Sequence, residues 1–505
     1  METNANVRIA KNTILLYVRM IISLVISLYT SRAVLAILGA DDFGIYNIVG
    51  GVVVLFSFLT NAMTNSTQRF LNFTIGLNDP NKIANVFNTA MLAHFTIFGA
   101  VLILAETVGL WFVSTQLNIP TERYYAAHWV YQMSIIVTLL NIIVIPYRAS
   151  IIAIERMDIF AYISIIDVVL KLIIVLILPY FSADSLILYS ILLSCITLLN
   201  FLLSRTICKR KMHFTHFNFI WDKQQYIEQM SFSGWYLFGG VALVGAKQAT
   251  NILINIFFNV AVNAAVGIAN QVRSAIFGFV TSFQTAFNPQ IVKFYAAGDN
   301  ENLMSLIYRS SKFSYYLLFV ISLPVVVFCD DILALWLLNV PKYAVSFTQF
   351  VVLTSFTEAL SAPLWTAIGA TGKVERYQVW VSLILLIEIP IVYLLFKLGM
   401  NPVWAFVVNL TISIIAYLYR LVYIRKYVNY ELKVYFRTVI SPCIKVSILS
   451  IPVPIILNYL CASIPTIIMS IFCSVIISCM TIYLIGLNKS EKNFVVDILN
   501  KFIKR

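Results

Sequence analysis

The chain has 505 residues, 60% hydrophobic and only 11% charged, with a formal net charge of +13. A soluble domain carries about 25% charged residues. A mean hydropathy of +0.88 therefore excludes a soluble enzyme and points to a membrane protein with many spans. A basic balance could mark a nucleic-acid binder, but Lys and Arg gathered in cytoplasmic loops account for it, so no nucleic-acid partner is expected.

The first apolar stretch, Asn12–Gly39, is 28 residues long. About 20 residues at 1.5 Å each cross a hydrocarbon core of roughly 30 Å. The stretch is too long for a signal h-region and lacks a small-residue cleavage site, so no cleavable leader is expected. It contains Arg19 and Arg32. Ser23, Ser27 and Thr30 follow Arg19 at helical spacing and make one polar stripe. Arg32 lies off that stripe, towards the outer mouth. Such a stripe suits a helix that lines a polar cavity.

Hydropathy predicts fourteen spans: 12–38, 45–68, 86–113, 125–147, 159–180, 185–207, 231–257, 263–289, 306–329, 344–369, 377–397, 402–424, 437–460 and 464–487. With the N-terminus inside, 26 of the 35 Lys and Arg, Lys312 among them, fall on the inner side and three on the outer. That bias places both termini on the cytoplasmic side of the membrane. The outer loops are too short for a catalytic domain, so an enzyme is not expected. Seven cysteines and four histidines show no ligand spacing, so no metal site is expected. After the last span, Ser490 is a candidate N-cap. Phe494, Val495, Ile498, Leu499 and Phe502 then form an apolar stripe opposite lysines.

The longest inner connection, Lys209–Gln229, divides two similar halves. Gly44-Ile45, Gln68 and Gly76 recur as Gly267-Ile268, Gln290 and Gly298. Pro146, Glu155-Arg156 and Asp167 recur as Pro363, Glu375-Arg376 and Glu388. The near-constant offset implies two parallel six-helix lobes with the substrate site between them. The expected fold is all-α and polytopic: 14 transmembrane helices in two six-helix lobes plus two appended helices. The expected divisions are an N-lobe over 1–208, an inter-lobe loop over 209–229, a C-lobe over 230–430, appended helices over 431–488 and an amphipathic tail over 489–505.

The 6+6+2 pattern, the segment Leu38-Gly39-Ala40-Asp41-Asp42-Phe43-Gly44-Ile45-Tyr46 and the following Ser66-Thr67-Gln68-Arg69-Phe70 carry a family resemblance. The chain resembles the polysaccharide-export branch of the multidrug/oligosaccharidyl-lipid/polysaccharide (MOP) exporter superfamily, the Wzx-like repeat-unit flippases. The resemblance implies MATE-like lobes and alternating-access flipping of undecaprenyl-pyrophosphate-linked oligosaccharides across a bacterial cytoplasmic (inner) membrane. It implies a role in O-antigen, lipopolysaccharide or capsule synthesis, with membrane lipids and a polysaccharide polymerase or assembly proteins as partners to a monomer. The competing reading is a cation-coupled multidrug exporter of the same superfamily. The first span has no acid for a cationic drug, which argues against it.

An anionic lipid head needs a hydrated cationic cavity. Lys247 and Arg273 lie near mid-span, too deep to reach water easily. With Arg19 and Arg32 they are the candidate head-group ligands. Ser23, Ser27, Asn61, Asn65, Gln68, Asn251, Asn255 and Asn270 are the candidate cavity lining. Glu358, Glu388 and Asp167 are candidates for exchanging a coupling ion, H+ or Na+; the membrane potential is the other expected drive, and no other cofactor is expected. Asp167 and Lys171 are four apart with the acid first, which favours pairing within the helix.

Overall fold

The computed structural model describes residues 2–54, 57–77, 79–115, 119–258, 260–337, 339–428, 430–460, 464–489 and 491–493. All regular structure among them is helical. Eleven helices there are long and apolar enough to cross a membrane, and they coincide with eleven of the fourteen expected spans. The expected spans 12–38, 45–68 and 263–289 also fall on helices, but outside those eleven. In the last two, polar side chains such as Gln68, Asn270, Gln271 and Arg273 dilute the apolar character. The described chain forms two compact units, Ala10–Gly240 and Val241–Arg505 with Met1–Ile9.

The first unit contains α1 (Glu2–Val54), α2 (Ser57–Gly76), α3 (Pro80–Leu104), α4 (Leu110–Thr115), α5 (Tyr124–Ala153), α6 (Met157–Ile177), α7 (Ser185–Lys211) and the start of α8 (Lys223–Phe257). Gly39 breaks α1 with φ 76°. A side chain is disfavoured in that left-handed region, so glycine is the residue that bends the rod here. Asp79 caps α3 through the Lys82 N–H at 3.2 Å, with Pro80 in the first turn. The end of α3 widens into a π turn over Ala105–Gly109. The Ala105 carbonyl accepts the Leu110 N–H and also the Tyr131 hydroxyl at 2.6 Å, and a Cβ at Gly109 would overlap that hydroxyl. Val34, Val49, Val130, Tyr131, Ile142 and Val175 fill the core around this contact.

At one end of the unit, Arg123 joins three elements. Its guanidinium donates to Asp42 of α1, with Nε to Oδ1 at 2.8 Å, and to Asp184 Oδ2 at 2.5 Å. Asp184 also caps α7, accepting from the Leu186 and Ile187 N–H groups at 3.0 and 3.1 Å. Burial opposes ionisation of Asp184, but the bonds from Arg123 and these backbone groups outweigh it and hold its pKa below the ordinary carboxylate value.

The second unit adds α9 (Val260–Ala296), α10 (Asn300–Val327), α11 (Cys329–Trp336), α12 (Ala344–Ala370), α13 (Glu375–Leu386), α14 (Glu388–Lys397), α15 (Val403–Tyr423), α16 (Leu432–Tyr435), α17 (Ser441–Ser450), α18 (Pro452–Leu460) and α19 (Ile464–Thr481). The span over α12 is 72% buried and that over α5 61%, more than the other candidate spans. These two axial helices carry Pro363 and Pro146, the prolines paired in the repeat. The span expected over 377–397 is two helices. Pro390 has no N–H for the Leu386 carbonyl, so the rod breaks at Ile387 and Glu388 opens α14.

The appended helices dock on one polar face of α10. Tyr308 meets the rings of Tyr430 and Tyr435 at 6.2 and 5.9 Å. Tyr315 shares a 2.7 Å hydrogen bond with Ser447, and the Tyr316 hydroxyl donates to the Gly486 carbonyl at 3.0 Å. Between them Lys312 meets Glu491 at 2.6 Å, with side chains only 5% and 4% exposed. Lys312, counted on the inner side from sequence, is thus a buried cation. It is enclosed because an acid from the tail neutralises it. Glu491 accepts from the Asn488 N–H while Asn488 accepts from the Glu491 N–H, both at 2.8 Å. This is a reciprocal cap with Asn488 at the start. Ser490, the cap expected from sequence, and the stripe from Phe494 to Phe502 lie outside the described residues.

Two outcomes test these contacts. Glu491→Leu strands a buried ammonium and should destabilise by about 3–5 kcal/mol. Lys312→Met with Glu491→Leu should recover most of that, both read by thermal unfolding in detergent. The depressed Asp184 pKa stabilises the fold above the unfolded-state value, and this contribution fades as pH falls below about 4. Melting temperature should therefore drop less steeply on acidification in Asp184→Asn than in the native protein.

Candidate functional site

Four charged residues of the second unit, Lys247, Arg273, Glu358 and Glu388, line one small cavity, with room of about 100 Å³ for water-sized groups. Successive turns of α8 supply Lys247, Thr250 and Asn251, and α9 supplies Asn270 and Arg273. Thr354 and Glu358 come from α12, Glu388 from the first turn of α14, and Asn409 and Ser413 from α15. The break before Pro390 sets the position of Glu388, because it starts a new helix at that carboxylate.

Arg273 and Glu358 form an ion pair between α9 and α12. Arg273 also donates from Nε to Ser355 Oγ at 3.1 Å and lies 5.1 Å from the Phe277 ring. The two residues given separate roles from sequence are therefore one neutralised group. Glu388 is 2% exposed, and its two oxygens accept from neutral donors, Thr250 Oγ1 at 2.9 Å and Asn409 Nδ2 at 2.8 Å. Lys247 is exposed, and no hydrogen bond or salt bridge engages it among the described residues. It stands close enough to feel the charges of both Glu358 and Glu388. Of the lining residues expected here, Asn251 is held by Gln248 at 3.1 Å, and Asn270 and Asn255 are exposed. Asn255 is not among the residues lining the cavity.

The remaining candidates lie in the first unit. Arg19 rests 5.1 Å over Phe160, and its Nε is enclosed without a hydrogen-bond partner among the described residues. Asp167 is paired with Lys171 at 2.8 Å and accepts from Asn200 Nδ2 at 2.6 Å. Ser23 and Gln68 are half-buried, and Ser27 and Asn65 exposed. The side chains of Arg32 and Asn61 lie outside the described ones.

The same small motif thus occurs once in each unit. An acid on the fifth helix of the repeat accepts from an asparagine on the sixth: Asp167 from Asn200, and Glu388 from Asn409. In the first unit Lys171 completes the group, whereas in the second the neutral Thr250 does. Sequence reasoning missed Thr250, Ser355, Asn200 and Asn409. Thr250 carried a signal, since it stands one turn from Lys247. Polar residues on neighbouring spans become partners only when the helices are packed.

Chemically, the cavity offers one uncommitted cation, one buried carboxylate bound by neutral donors, and one ion pair that would have to open before either member could act. As an electrostatic check, Glu358→Gln leaves Arg273 without its counter-charge. It should destabilise by about 3 kcal/mol, with the paired change Arg273→Met, Glu358→Leu closer to the native melting temperature.

The MatE family model matches residues 237–394, a stretch that contains Lys247, Arg273, Glu358 and Glu388. No curated protein matches the sequence. Solved structures match over most of the chain. An outward-facing multidrug resistance MATE family transporter of the MOP superfamily aligns with TM-score 0.71 at 12% identity, covering 84% of this chain and 96% of its own. A MOP superfamily transporter from Pyrococcus furiosus, whose reversed binding-pocket polarity suggests a different function, gives 0.69 at 13%, again 84% and 96%. The MATE transporter ClbM in complex with Rb+ gives 0.67 at 12%, covering 86% and 96%. At such identities the likeness concerns the fold. The chain therefore has the helical fold of MATE transporters, with the four charged residues of its cavity inside the stretch that the MatE model recognises.

Proposed function

We propose that this transporter flips an anionic lipid-linked oligosaccharide, of the undecaprenyl-pyrophosphate class, by alternating access across a bacterial inner membrane with both termini cytoplasmic. The observation that carries the reading is Lys247, an uncommitted ammonium at the wall of a polar cavity. At Lys247 a diphosphate would gain charge-assisted hydrogen bonds that a cationic drug could not form. The cavity is too small for a sugar chain. Its role is to hold charge, with the lipid tail left in the membrane and the sugars outside the cavity. Arg273 is held in reserve by Glu358 and becomes available when that carboxylate takes up a proton or another cation. Arg19 and Arg32 serve the same head group from the first repeat. Glu388 exchanges the coupling ion. Asp167, neutralised by Lys171, is the weaker exchanger. The protein acts as a monomer and hands its product to polysaccharide polymerase or assembly proteins outside.

A second reading, cation-coupled multidrug export, is supported by the MatE match and by the acids Glu358 and Glu388 in the cavity. Proteoliposomes containing the purified chain separate the two. On the first reading, a fluorescent undecaprenyl-pyrophosphate oligosaccharide changes leaflet and ethidium is not transported. Lys247→Ala should slow flipping roughly 10–100-fold, the equivalent of one hydrogen bond to a charged group. Glu388→Gln should abolish the response to an imposed proton or sodium gradient. Ethidium transport without lipid flipping would establish the second reading instead.

A further inference from the structure

The connection between α7 and α8, residues 212–222, is fastened to α3. The Asn218 N–H donates to Asn88 Oδ1 at 2.9 Å, and Phe217 meets Phe95 with ring centres 5.7 Å apart. Beyond it, Trp221 packs on Tyr226 at 5.1 Å, and the Tyr226 hydroxyl donates to Thr96 Oγ1 at 2.9 Å. Between these anchors, Phe219, Ile220 and Trp221 are 75%, 41% and 57% exposed. Three consecutive large apolar side chains are thus held out from the protein by fixed neighbours.

Their depth follows from the length of the helix they lie on. The span Lys82–Thr115 has 34 residues, about 51 Å at 1.5 Å each, against a hydrocarbon core of roughly 30 Å. Its polar end, with Lys82, Asn85, Asn88 and Thr89, is the part that projects. Counting about 20 residues back from Thr115 puts the edge of the hydrocarbon at Phe95 and Thr96. Those are the residues that Phe217 and Tyr226 touch. The exposed tip is therefore level with the headgroup boundary, where Trp and Tyr rings are favoured.

The charges beside it are mainly positive. Arg210 and Lys211 end α7 and Lys223 begins α8, all three exposed. The acid between them, Asp222, is occupied in capping α8 through the Gln225 N–H at 3.0 Å. We propose that Phe219, Ile220 and Trp221 form a wedge seated in the bilayer interface, and that Arg210, Lys211 and Lys223 bind the headgroups of anionic phospholipids there. A tip of three residues is too small for a stable protein interface, and each cation near an anionic membrane surface adds about the same increment of attraction.

The experiment uses the full chain in nanodiscs of phosphatidylcholine brominated near the carbonyl. The emission difference between native protein and Trp221→Phe isolates Trp221. That component should be quenched by the brominated lipid and not by aqueous iodide, and Phe219→Trp should add a second component that behaves alike. In mixed phosphatidylcholine–phosphatidylglycerol discs, Arg210→Gln with Lys211→Gln and Lys223→Gln should lower retention of phosphatidylglycerol about tenfold or more. Quenching by iodide alone, or by neither agent as under a protein cover, would overturn the wedge. Unchanged phosphatidylglycerol retention in the triple variant would overturn the headgroup site.

Discussion

A charge placed inside an apolar helical body must find a counter-charge or a hydrated opening. Desolvating an ion costs several kcal/mol even after relaxation. In this protein the constraint determines which helices touch. Arg273 draws α9 to α12 through Glu358. Lys312 draws the tail to α10 through Glu491. Asp167 is satisfied by Lys171 on its own helix and by Asn200 on the next. Arg123 gathers Asp42 and Asp184 from two other elements. The Lys312–Glu491 pair is the most enclosed of these, and removing either member leaves an ion that the surroundings cannot solvate. Lys247 stands apart from this pattern. Its charge is left available at the cavity wall, and its proposed role rests on that availability.

The interruptions of the helices serve the same chemistry. Gly39 lets α1 change direction shortly before Asp42 reaches Arg123. Pro390 ends α13 so that Glu388 opens a new helix beside Thr250 and Asn409. Two π turns, ending in Gly109 and Gly486, expose a carbonyl to a tyrosine hydroxyl and keep the space for it. In a medium without water, backbone groups released by a break need partners within the protein. Each of these breaks is placed where polar side chains gather.

Comparison of the two units sharpens the coupling proposal. The acid–asparagine pair is common to both, and the third member differs. Where Lys171 sits against Asp167, a permanent cation holds the site closed. Where Thr250 sits against Glu388, the carboxylate has only neutral donors and can accept a proton or a metal cation. A duplicated frame with one member filled and the other open explains why gradient dependence is placed on Glu388 and not on its counterpart.

Local patterns determined a large part of this protein. Apolar run length gave eleven spans that coincide with helices of the fold, because crossing a membrane depends on composition and length alone. The Asp167–Lys171 pair was legible for a similar reason, since residues four apart on a helix are always neighbours. Lys247, Arg273, Glu358 and Glu388 could be marked as intramembrane charges from depth, and they do meet at one cavity. Their pairing could not be read. Arg273 and Glu358 are 85 residues apart, and Lys312 and Glu491 are 179 apart. Sequence spacing says nothing about which helices pack together, or about which polar faces meet. That Arg273 is closed by an acid while Lys247 is left open was decided only by tertiary packing, because neutralisation depends on distances between helices that no local pattern encodes.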